Sequence, residues 1–238
     1  MKGKLIVFEG LDCSFKETTS NNVYKALQKV KGLKVIKFDF PNYGKESAFF
    51  VENLLKGDYK SANLDFVAKT SLFMVDIFHT WISDIKKYYD EGYIVILDRY
   101  WFSNLYYQNY AMENYTSVDE IKFDYKFDKI VNMAKGYDLP KPNITFFMDM
   151  SLEVMEYLLS KKKNKDINEL NTSYLENVHS AYHFVLNHRL KSKTDVFGKA
   201  YMIKCEDEDG TIRHRDDLCA ESRDFILNYL EGNKWKMY

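Results

Sequence analysis

Proline and glycine are scarce, three and ten in 238 residues. That leaves no low-complexity linker, and no internal repeat is visible. Cysteine is scarce too: Cys13, Cys205 and Cys219 are odd in number and widely spaced. They argue against a disulfide framework or a zinc site and fit thiols in a reducing compartment. No apolar run approaches the roughly 20 residues that a membrane span needs. Lys2 and Lys4 lead into only a short apolar run, so no secretory signal is expected. A soluble, cytoplasmic protein with no membrane partner is the expectation. The net charge of −1 lacks the positive excess of a dedicated nucleic-acid coat, so no nucleic-acid partner is expected. The five histidines are scattered and are read as structural or exposed. Ser14 and Ser103 have no His–Asp arrangement around them, so acyl transfer has no support.

What is present is a globular composition: 46% hydrophobic, 29% charged and 16% aromatic residues. The length allows one large α/β domain or two small ones. The high aromatic content falls mostly on expected helices and reads as core or subunit interface rather than a platform for stacking bases.

The chain is organised around Phe8 to Thr19, FEGLDCSFKETT. It follows the apolar run Leu5-Ile6-Val7-Phe8, a buried parallel strand by pattern. It precedes Asn21 to Val30, where Val23, Ala26, Leu27 and Val30 recur at helical spacing. At such a junction the pattern G-x-x-x-x-G-K-[ST] wraps phosphates with backbone N–H groups and a lysine. Gly10 and Lys16 keep that spacing, and Thr18 and Thr19 supply hydroxyls at the helix start. Phe15 stands where the second glycine belongs, and Glu17 where the Ser or Thr belongs. Glycine there would reach positive φ freely; Phe15 is expected to remove that freedom. Glu17 brings negative charge towards a polyanion. Two readings stay open on this stretch: a phosphate loop spanning Gly10, Cys13, Ser14, Phe15, Lys16 and Glu17, or an ordinary turn with Asp12 or Ser14 as helix N-cap.

Further along, Val35 to Phe40 reads as a strand stopped by Pro41, and Ser47 to Leu55 as a helix. Asn63 to Tyr89 reads as one long helical region. Tyr93 to Leu97 reads as a central strand that delivers Asp98-Arg99-Tyr100 at its carboxyl end, the edge where open parallel sheets bind ligands. A carboxylate there, beside a phosphate loop, is the usual Mg²⁺ partner, and an arginine next to it can fork onto a phosphate. A strand-end salt bridge is the plainer alternative. Trp101 to Ala111 reads as an aromatic helix, Tyr115 to Lys126 as a polar surface segment, and Ile130 to Met133 as the close of a short helix. Ile144 to Asp149 is a further strand, and Val154 to Leu159 opens another helix. The segment Lys161 to Asp166 is either a solvated helix end or a mobile lid carrying cations. Tyr174 to Leu190 is a helix, Ala200 to Cys205 the last strand, and Asp217 to Leu230 a closing helix. Five apolar strands alternating with helices give an α/β fold with a five-stranded parallel sheet.

Four pieces together resemble the thymidylate kinases, within the nucleoside monophosphate kinases: FEGLD with Lys16, FPNYGKES, DRYWFSNLYYQ, and KNKDINE followed by Tyr174-Leu175 and Tyr182. The third is the most specific. The second and fourth resemble the form of low-GC bacteria and their phages. The resemblance runs from about Lys2 to Leu230. It implies one kinase domain over residues 1–238 with a lid at about 160–172, a homodimer, and transfer of the ATP γ-phosphoryl to dTMP with Mg²⁺. By matching position it implies Lys16 on the β/γ-phosphates and Thr18 on the α/β region. It puts Asp12 on the sugar 3′-hydroxyl, Asp98 in the Mg²⁺ shell and Arg99 on the acceptor phosphate. It puts Phe73 on the thymine face, Ser103 and Asn104 along the base edge, Tyr107 under the sugar, and Phe40 in the pocket wall. Lys161, Lys162 and Lys165 would be the lid cations, where the family shows arginine. Cys13 replaces a glycine, and Ile77 an arginine that bonds the base. Two other classes remain: a nucleotide-binding scaffold that lost turnover, and a kinase for a different monophosphate.

Overall fold

The structure is a computed structural model and describes residues 2–59, 62–108, 117–163, 171–190 and 194–232. Five strands lie parallel in the order β2-β3-β1-β4-β5: β1 (Lys4–Gly10), β2 (Val35–Asp39), β3 (Ile94–Asp98), β4 (Ile144–Asp149) and β5 (Lys199–Lys204). The three central strands are the continuous apolar runs of the sequence. Leu5 to Phe8, Val95 to Leu97 and Phe146 to Met148 have no exposed surface. This is the pattern of strands covered on both faces. The registers Phe8↔Asp98 and Asp39↔Asp98 bring the carboxyl ends of β1, β2 and β3 to one edge. Gly10↔Met148 adds β4 to that edge.

The helices form two packed groups. α1 (Lys16–Gln28) packs against α9 (Arg215–Leu230). α2 (Phe49–Lys56) packs on α3 (Phe66–Thr80), α3 on α6 (Ser117–Gly136), α6 on α5 (Asn104–Tyr107), and α5 on α8 (Thr172–Phe184). The short α4 (Lys86–Asp90) leads into β3, and α7 (Leu152–Lys161) follows β4.

Three expectations need correction. The long helical region begins only at Phe66, where the Asp65 carboxylate accepts the Ala68 N–H at 2.8 Å, and passes through a π-turn at Trp81–Ile85 into α4 rather than running as one regular α-helix. The stretch read as a polar segment plus a short helix is the 20-residue α6. Its buried face is Phe123, Phe127, Ile130, Val131 and Ala134, at helical spacing. The aromatic helix from Trp101 is a 3₁₀ turn, Trp101–Ser103, followed by the single turn of α5. Its expected end at Ala111 lies outside the described residues.

Candidate active site

Between β1 and α1 the chain turns through two non-glycine residues in the left-handed region, Cys13 at φ 64° and Phe15 at φ 60°. A side chain there costs about 1–2 kcal/mol per residue. Phe15 therefore does not deny the loop its conformation; the loop adopts it at an energetic cost. The Phe15 ring packs against the core, and the Thr19 N–H donates to Phe15 O at 2.8 Å. The buried Cys205 thiol donates to Ser14 O at 3.3 Å. At Gly10 the requirement is space: a Cβ would sit 2.3 Å from Ser14 Oγ and 3.0 Å from Met148 Cβ. Neither Asp12 nor Ser14 caps α1, which starts after Phe15 without a side-chain cap. Uncapped first-turn N–H groups are what an anion would meet.

Lys16 is buried, its Nζ 3.1 Å from Leu11 O and 3.8 Å from Asp12 Oδ1. Burial, then the Arg99 charge, pulls its pKa down; Asp12, Asp98 and Glu9 oppose the shift. Glu17 is exposed and Thr18 half-buried. The buried Thr19 hydroxyl has no partner among the described residues. Asp98 is buried at the end of β3, with Ser20 Oγ 3.5 Å from its Oδ2. Burial raises its pKa against the lowering charges of Lys16 and Arg99. A carboxylate with a hydroxyl beside it is an all-oxygen donor set, the kind that suits Mg²⁺.

Arg99 follows immediately, at φ 66°. Its guanidinium donates to Gly10 O at 3.1 Å, Asp12 Oδ1 at 2.6 Å and the Tyr107 hydroxyl at 3.2 Å. It lies 4.9 Å from the centre of the Tyr107 ring. The Tyr107 hydroxyl donates to Asp12 Oδ2 at 2.9 Å. Burial alone would raise the Asp12 pKa, but Arg99, Lys16 and the Tyr107 hydroxyl hold it below the usual carboxylate range. The Lys162 charge adds to that lowering. Lys161 and Lys162 are exposed, and Lys165 lies outside the described residues.

Asp12, Arg99 and Tyr107 stand in the wall of an open cleft of about 680 Å³. Phe40, Phe73, Ile77, Ser103 and Asn104 line it as well. Every residue expected on the acceptor side therefore reaches one cleft. Ser103 and Asn104 are partly committed elsewhere: the Ser103 hydroxyl donates to Glu9 at 2.8 Å, and the Asn104 amide donates to Trp101 O at 3.2 Å. Ile77 offers the cleft no donor.

Several residues of this region escaped the sequence reading. Tyr43, Leu55, Asp76, Gln108 and Tyr174 also line the cleft. Gln108 closes the DRYWFSNLYYQ run, and its amide carries both donor and acceptor, a signal that was available. Asp76 accepts the Asn42 N–H at 2.9 Å, and Thr80 accepts from the Asn42 amide at 3.1 Å. Together they pin the turn after β2 onto α3. Tyr174 sits in the first turn of α8 and donates to Tyr107 O at 3.3 Å. Glu9 appears in the sequence only as part of the FEGLD run; the structure places it inside β1, fully buried.

The thymidylate kinase family profile matches residues 8–194. A thymidylate kinase of Sulfurihydrogenibium sp. (strain YO3AOP1) is 34% identical over 164 residues, covering 68% of this chain and 74% of that protein. A thymidylate kinase of Caldicellulosiruptor saccharolyticus is 28% identical over 237 residues, 97% of this chain and 99% of its own length. The solved thymidylate kinase of Candida albicans superimposes with a TM-score of 0.69 at 21% identity, covering 96% of this chain and 93% of that one. The last comparison speaks to the fold alone.

Proposed function

The chain belongs to the thymidylate kinase family, and we propose that it transfers the γ-phosphoryl of ATP to the 5′-phosphate of dTMP. The observation that carries this reading is the convergence of Phe73, Asn104, Tyr107 and Arg99 in one cleft, with Lys16 3.8 Å from the cleft residue Asp12 and Asp98 directly before Arg99. In such a transfer the protein's work is positioning and neutralising charge. Lys16 serves the outer phosphates of ATP, with Thr18 and the Gly10–Thr19 backbone around them. Mg²⁺, arriving with ATP, supplies further charge neutralisation, and Asp98 is the residue to hold it. Arg99 grips the acceptor phosphate, Asp12 accepts from the sugar 3′-hydroxyl, and the Tyr107 ring lies under the sugar. Phe73 stacks on the base within the wall that Phe40 completes.

The segment 160–172 acts as a lid on this single domain, its lysines adding cations when both nucleotides are bound. It should gain protection from proteolysis only with both present; equal cleavage with and without them contradicts the lid. A homodimer fits the exposed apolar stripe of Val67, Val75 and Ile82 along α3 and its continuation, with Phe49 and Phe50 on the neighbouring α2. Three cysteines without a disulfide fit the cytoplasm.

One residue bears on how sharply the base is read. Ile77 is buried in the cleft wall where the family bonds the base, so discrimination between bases rests on fewer polar contacts. A coupled ADP-release assay with ATP, Mg²⁺ and dTMP tests the function directly: dTMP-dependent ADP release supports it, and its absence contradicts it.

A further inference from the structure

Glu9 is fully buried in β1, one residue before Gly10. An isolated carboxylate is costly to bury, and an apolar side chain would serve a strand interior without that cost. Here it accepts three hydrogen bonds, from the Tyr100 N–H at 2.8 Å, the Ser103 hydroxyl at 2.8 Å, and the Tyr106 hydroxyl in a short contact. All three donors lie in the eight residues from Tyr100 to Tyr107 that follow Arg99. They mark the start, middle and end of one compact turn: Tyr100 extended, Trp101–Ser103 a 3₁₀ turn, then α5.

Arg99 itself needs such support. Its backbone is left-handed at φ 66°, a conformation that persists in a non-glycine residue only where the surroundings over-determine it. On one side the Arg99 N–H donates to Phe8 O at 2.8 Å; on the other the next N–H, of Tyr100, goes to Glu9. The strain is thus clamped between two consecutive residues of β1. The result is a guanidinium aimed at Gly10 O, Asp12 and Tyr107.

We propose that Glu9 is a positioning residue for Arg99: its carboxylate holds the turn from Tyr100 to Tyr106 so that the guanidinium faces the acceptor phosphate. The claim rests on the proposed role of Arg99. Glu9 does not itself touch the nucleotide; it acts through the backbone that carries Arg99. The buried Glu9 charge also faces the Arg99 charge, which favours the same arrangement.

The test compares wild type with Glu9→Gln and Tyr106→Phe. Two quantities are read: the ratio of thymidine to dTMP dissociation constants, and amide hydrogen exchange over Arg99 to Tyr107 in the ligand-free protein. The ratio isolates the grip on phosphate, because thymidine lacks it. We expect Glu9→Gln to lower the ratio about tenfold, the scale of a lost hydrogen bond to a charged group. Thymidine binding should hold within about twofold, and exchange in the turn should rise about tenfold while β3 stays protected. Tyr106→Phe, at a residue outside the cleft lining, should give a smaller change in the same direction. A drop in melting temperature with an unchanged ratio makes Glu9 merely structural and overturns the proposal. Unchanged exchange in the turn overturns it as well. If wild type shows no preference for dTMP over thymidine, the Arg99 role fails, and the exchange data still decide whether Glu9 holds the turn.

Discussion

In the proposed reading the phosphate loop and the acceptor turn each hold an anion, and they are built differently. The loop from Gly10 to Lys16 relies on backbone, with Cys13 and Phe15 in left-handed conformations and no side-chain cap on the helix that follows. The turn from Asp98 to Tyr107 also strains one residue, Arg99, but fixes it with side chains. Glu9 ties the backbone, and Asp12 and Tyr107 tie the guanidinium. The sequence departs from its family in the first region and keeps its motif in the second. A backbone site tolerates such changes provided the left-handed turns still form, because the N–H groups belong to every residue type. A side-chain site has no such tolerance.

This contrast can be broken or sharpened by mutation. The largest effect belongs to the cations. Arg99→Ala and Lys16→Ala should each lower kcat/KM by roughly 10³-fold without unfolding the protein, the scale of losing a preorganised charge in the transition state. The two should differ in where the loss falls, on dTMP for Arg99 and on ATP for Lys16. Near-normal rates in steady-state assays would refute the assignment.

A smaller effect concerns Glu9 and pH. Burial pushes its carboxyl from 4.5 up to about 7, only partly offset by Tyr106, Arg99, Ser103 and the Tyr100 N–H. Lys16 and Tyr182 also feel its charge. Between those pH values the folded protein keeps a proton that the unfolded chain has lost. Stability from this group is therefore full below about pH 4.5 and is lost as pH rises through about 7. Thermal melts from pH 5 to 8 should show wild type losing ground relative to Glu9→Gln as pH increases. A constant difference would contradict a raised Glu9.

The smallest effect is in the loop. Cys13→Gly should relieve left-handed strain and stabilise the protein by about 1 kcal/mol, a rise of roughly 2–4 °C in Tm. A fall in Tm would mean that Cys13 contacts outweigh the strain.

Much of the architecture was legible because the strands are continuous apolar runs such as Ile94-Val95-Ile96-Leu97, which admit little else. The turn after β3 was legible because its polar residues sit at the end of such a run. Helix α6 was missed in its first half: Lys, Asp and Tyr between Phe123 and Phe127 obscured a spacing that the burial makes plain. Phe15 misled because residue type gives a preference for φ, not the φ that packing imposes. Glu9 was invisible because a buried acid inside an apolar strand declares its purpose only through partners about 90 residues away, at Tyr100, Ser103 and Tyr106. The carboxylate at Asp76 is the same case, with its partner on the turn after β2.

The central claim is that the cleft still selects dTMP despite the altered loop and Ile77. ADP release with ATP and Mg²⁺, measured in parallel for dTMP, dUMP, dGMP, dCMP, dAMP and UMP, tests it most directly. The account predicts turnover with dTMP well above the other five. A different preferred acceptor would contradict the base assignment. Nucleotide-induced thermal stabilisation with no turnover on any acceptor would contradict the kinase reading itself.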